Sequence, residues 1–151
     1  MRANLFIVFL IISIIAISHA AAGAWSIYKR IQIRNENMDV LRLDSSQKDV
    51  VRVWLILGTK QEGAFLNRSV LYRVDEQKIH DLRHAANISV DKSKSMWLRW
   101  VISEKGLKGN DLQELTKGKM VVFQYYLPDG EIKETAFILD GLTEAVKEII
   151  K

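Results

Sequence analysis

The chain contains no cysteine, which leaves it without a disulfide framework, a thiolate metal site or a cysteine nucleophile. Only one proline and eight glycines occur in 151 residues, so collagen-like and low-complexity architectures are excluded. No Gly-x-Ser-x-Gly elbow is present. The Ser-x-x-Lys spacings at Ser26/Lys29, Ser45/Lys48 and Ser89/Lys92 lack the companion motifs of the hydrolases that use them. No pair of carboxylates stands out, and no repeat of solenoid period occurs. The expectation is one domain, no catalysis and no cofactor.

Charge is missing from residues 3–28. Leu5 to Ile17 reads LFIVFLIISIIAI, interrupted only by Ser13. With Arg2 before it and Ser18-His19-Ala20 after it, this run parses as a cleaved signal peptide. It also parses as a membrane anchor, because Leu5 to Tyr28 meets the length of about 20 residues that a bilayer core requires. Trp25, Tyr28, Lys29 and Arg30 form the aromatic and basic flank of a helix leaving lipid, and a cleaved signal has no need of it. The organisation read from this is an anchor or signal over 1–28, a connector over 29–48 with a short strand around Val40-Leu41-Arg42-Leu43, and a globular domain over 49–151. The expected location is the inner or plasma membrane, single-pass, with the carboxy-terminal domain extracytoplasmic.

The fold class expected is α+β: a transmembrane-like helix, then one small domain. In that domain an antiparallel sheet, including a carboxy-terminal hairpin, is packed by two or three helices. Val50 to Leu57 reads as a buried strand, paired through residues 59–63 with a second strand over Ala64 to Val74. Asp75 and Glu76 predict the start of a helix reaching Asn87. Met96 to Ile102 fits either a strand or a helix. Asn110 and Asp111 predict a short helix through Leu115. Met120 to Leu127, the turn Pro128-Asp129-Gly130 and Glu131 to Leu139 predict a hairpin, because proline pre-sets φ, aspartate bonds its own backbone and glycine accepts positive φ. Leu142, Ala145, Val146, Ile149 and Ile150 then follow helical spacing, with Val146 and Ile149 expected in the core.

Residues 29–119 carry 18 Lys and Arg against 12 Asp and Glu, whereas residues 120–151 carry 3 against 6. A basic surface of this kind suits an anionic partner. Its densest candidate is Lys92 to Lys108, where Trp97, Arg99, Trp100, Lys105 and Lys108 combine the residue types that dominate binding hot spots. On a strand Trp97 and Trp100 point to opposite faces, and on a helix they share one. His80 and His84 stand at the i, i+4 spacing at which two imidazoles can share a metal ion. Gly106-Leu107-Lys108-Gly109 has the GxxG spacing of nucleic-acid clamps, but Glu104-Lys105 stand where such loops have apolar residues, and no family assignment follows.

These features predict a membrane-anchored or exported binding module of the cell envelope that recognises another protein. Inhibitor, immunity or exclusion proteins and accessory parts of a secretion or conjugation apparatus fit that outline. The alternative is a small envelope hydrolase or metal-binding enzyme using His80 and His84. The membrane is an expected partner and nucleic acid is not.

Overall fold

Antiparallel strands, several of them alternating buried and outward-facing side chains, form the body of this domain. The computed structural model describes residues 26–27, 30–47, 49–58, 63–65, 69–85, 89–90 and 96–150. Its strands are β1 (Ser26–Ile27), β2 (Ile31–Arg34), β3 (Val40–Gln47), β4 (Val50–Ile56), β5 (Leu71–Val74), β6 (His80–Asp81), β7 (Ser89–Val90), β8 (Trp97–Ser103), β9 (Met120–Tyr126) and β10 (Ile132–Ile138). Two α-helices join them, α1 (Asn110–Lys117) and α2 (Leu142–Ile150).

The strands form two sheets, ordered β1-β2-β3-β4-β8-β7 and β10-β9-β5-β6, and every pairing is antiparallel. Along β4, Val51, Val53 and Leu55 are fully buried while Arg52, Trp54 and Ile56 turn the other way. The inner faces of both sheets share one core. Its centre is aromatic: Phe123 lies 5.6 Å from Tyr72, 5.8 Å from Trp100 and 6.1 Å from Phe137 between ring centroids. Such tilted and edge-on pairs suit the ring quadrupoles. Helix α2 buries Leu142, Ala145 and Val146 and packs against α1 and β1–β3.

One buried amide ties the sheets together. Asn35, after β2, donates through Nδ2 to Thr135 Oγ1 at 2.6 Å and to the Ala136 carbonyl at 3.1 Å, both on β10. Its Oδ1 accepts from the N–H groups of Asn37 and Asp39. The adjacent Asp39 carboxylate accepts from Gly58 N–H, yet burial dominates and pushes its pKa up.

The carboxy-terminal hairpin forms by the mechanism its turn residues imply. Asp129 Oδ1 accepts from Glu131 N–H at 2.9 Å, and Gly130 sits at φ +91°. Val146 is fully buried, while Ile149 packs against the core only partly buried.

Other expectations require correction. The stretch expected to be a connector with one short strand supplies two strands of the core, β2 and a β3 that extends the strand expected at Val40 to Leu43, with Ile31, Leu41 and Leu43 at 0% exposure. The strand after residue 64 does not pair with β4; β5 pairs with β9 and β6 in the other sheet. All four β5 residues are buried, so neither face marks its partner.

The helix expected over residues 75–87 is replaced by a turn, β6 and a 3-10 turn at Leu82–His84. Asp75 adopts φ +46° and its carboxylate accepts from the N–H groups of Lys119 and Met120. It fastens β5 to the start of β9 instead of capping a helix.

Among the described residues no helix is long and apolar enough to cross a membrane. The expected anchor lies outside them except for Ser26 and Ile27, which form β1.

Candidate functional site

Strand β8 divides the expected contact residues between two places. Leu98, Trp100 and Ile102 point inward and Trp97, Arg99 and Val101 outward. Trp100 is 2% exposed and belongs to the core. Trp97 and Arg99 lie on the outer face of the six-stranded sheet, where Trp54 of β4 joins them. The Trp54 and Trp97 rings are 5.3 Å apart, and the Arg99 guanidinium sits 5.0 Å over the Trp54 ring. At that distance a guanidinium is attracted to the ring face.

That outer face is strongly cationic. Pairing of Gln32 with Arg42, Arg42 with Trp54 and Trp54 with Arg99 runs one row of side chains across four strands. Arg34 and Arg52 lie in the flanking rows, and Arg30 is close enough that its charge acts on Arg42. Burial, and then Arg30, lower the Arg42 pKa, partly opposed by Asp44. Among the described residues Asp44 is the face's one acid: it accepts from the Trp54 indole N–H and lies 3.8 Å from Arg52. Arg42 also donates to Gln32 at 3.2 Å. Sequence reading missed Arg42, Arg52 and Trp54 because their neighbours on the face come from other strands.

The second place is a cavity of about 510 Å³ between the β5–β6 pair, the end of β8 and α1. Its wall includes Tyr72, His80, His84, Trp100, Lys105, Lys108 and Asp111. Lys105 and Lys108 are exposed, on the segment after β8. Gly106 between them sits at φ +57°, where its N–H reaches the Asp49 carbonyl and its own carbonyl accepts from Ser103 Oγ.

His80 pairs directly with Tyr72 across β5 and β6. The two rings stack at 4.4 Å with 6° between planes, which fixes the imidazole orientation. His80 Nε2 lies 3.0 and 3.1 Å from the two carboxylate oxygens of Glu114. Glu114 and Asp111 share one face of α1 at i, i+3. Burial, reinforced by the charges of Asp111 and Glu114, pushes the Tyr72 phenol far above its ordinary pKa.

His80 and His84 are therefore not a helical pair. His84 is exposed in the last turn of the 3-10 segment, and the donors that converge on His80 are Asp111 and Glu114. The i, i+3 acid spacing in a short helix was the available signal; its proximity to His80 was not.

No family model, curated protein or solved structure matches this chain.

Proposed function

We propose that this protein is a non-catalytic binding module of the cell envelope that recognises an acidic protein surface through the outer face of its six-stranded sheet. The observation that carries the reading is the concentration there of Arg30, Arg34, Arg42, Arg52 and Arg99 around Trp54 and Trp97, against Asp44 as the one acid among the described residues. Arginine forks pair bidentately with carboxylates, and half-buried indoles gain from losing the rest of their water. Charge complementarity steers encounter, so binding should weaken as salt rises.

The same reading holds the domain at the membrane through the amino-terminal apolar run. With Ser26 and Ile27 in β1, Leu5 to Trp25 remains as 21 uncharged residues, still of bilayer-spanning length. The sheet then begins at once, which keeps the arginine face close to the membrane and to partners embedded in it. Amino-terminal sequencing of the membrane-bound protein should find an uncleaved chain; a mature terminus at Ala21 overturns retention by this segment.

The recognition surface is tested by a photo-crosslinking side chain in place of Trp97, with the full chain in its own membranes. One dominant protein adduct should form. It should disappear when Arg42→Glu and Arg99→Glu are combined, and survive Lys147→Glu on α2. Adduct formation indifferent to the double reversal rules out this surface. Arginine-dependent binding to protein-free anionic vesicles, with no protein adduct, would instead identify a lipid partner and reject the reading.

A further inference from the structure

We propose that His80, Asp111 and Glu114 form a site for one divalent transition-metal ion, with zinc the best match to their donor set. One imidazole nitrogen and two carboxylates are borderline-to-hard ligands of the kind zinc accepts, and three protein ligands leave positions for water. One ligand atom from each residue lies within 4.8 Å of the other two. Ligands held at 2.0–2.2 Å from a tetrahedral ion stand roughly 3.3 Å apart, so modest side-chain rotation closes the shell. The 3.0 Å separation of His80 Nε2 from Glu114 is already close to that spacing.

The site is built from two separate elements, β6 and α1, on a supported base. Tyr72 stacks on the imidazole, and the β5–β6 pairing sets the position of the strand that carries it. Orientation of a ligand histidine by its neighbours is what raises metal affinity in known sites.

The ion pair between His80 and Glu114 is the competing account of the same contact, and it makes different predictions. The full chain, purified in detergent and stripped with a chelator, is titrated with Co²⁺ followed by optical absorption. Zn²⁺ affinity is then measured by displacement. One equivalent should bind, and Zn²⁺ should raise the melting temperature. Asp111→Asn and Glu114→Gln should each weaken Zn²⁺ binding at least about tenfold. Both are partly exposed helix positions, so circular dichroism should confirm an intact fold. His84→Ala should leave binding unchanged. The proposal is overturned if the wild-type chain takes up no stoichiometric Zn²⁺ or Co²⁺. It is equally overturned if the folded Asp111→Asn and Glu114→Gln variants bind as tightly as wild type, or if His84→Ala abolishes binding.

Discussion

Trp97 and Trp100 stand three residues apart on β8 and occupy opposite environments. Trp100 is wedged among Tyr72 and Phe123 between the sheets, whereas Trp97 lies half-buried against Trp54 on the outer face that carries the arginines. The difference shows how a single strand supplies both stability and a recognition surface. The inner ring excludes water from both sides. The outer ring keeps one side wet, which lets arginine charges stay hydrated beside it until a partner arrives.

The contrast should be plain in mutational energies. Trp100→Ala should cost about 3–5 kcal/mol, comparable to much of a small domain's stability, and show as an early urea midpoint. Asn35→Ala should come next, at about 1–3 kcal/mol, because the partners it holds on both sheets lose a buried hydrogen bond. It probes whether the two sheets act as one cooperative unit: separate transitions in circular dichroism and tryptophan fluorescence would show that they do not. Trp97→Ala should shift stability by less than about 1 kcal/mol, as surface changes do, while weakening capture of the partner at least about tenfold. Equal destabilisation by the two tryptophan variants would erase the distinction drawn here.

Stability should also depend on pH. Burial pushes the Glu134 carboxyl up to about 7 from an ordinary 4.5, against a lowering influence from Arg73. The folded state therefore holds the proton more tightly than the unfolded chain does. The resulting stabilisation is complete below pH 4.5 and is lost as pH rises through about 7. Asp39, also raised by burial, acts in the same direction. Glu134→Gln should flatten the fall in melting temperature between those values, and an unchanged profile would exclude Glu134 as its source.

Legibility differed sharply along the chain. The region from Asn110 onward was readable because each element is specified by neighbours in sequence: Asn110 and Asp111 opening α1, Pro128-Asp129-Gly130 closing the hairpin, and helical spacing in α2. The strand ending at Val74 was readable but its partners were not, and residues 75–84 were not readable at all. Asp75 looked like a helix cap because its alternative partners, Lys119 and Met120, lie more than forty positions away. The candidate sites divide in the same way. Trp97 and Arg99 were identified from composition, yet Trp54, Arg42 and Arg52 join them only through strand pairing. His80 was singled out with the wrong partner, since its true neighbours arrive on α1.

Local sequence by itself determined the α+β class, the alternation within β4, the hairpin turn and both helices. Period, capping and turn chemistry act over a few residues, and their free energies are set before any long-range contact forms. Only the tertiary structure decided that the strands separate into two sheets, that the stretch before residue 48 belongs to the core, and that Tyr72 sits beside His80. It alone gathered five arginines onto one face and brought Asp111 and Glu114 to a histidine more than thirty residues earlier. Those outcomes depend on which buried surfaces fit one another, and a strand apolar on both faces carries no local mark of its partner.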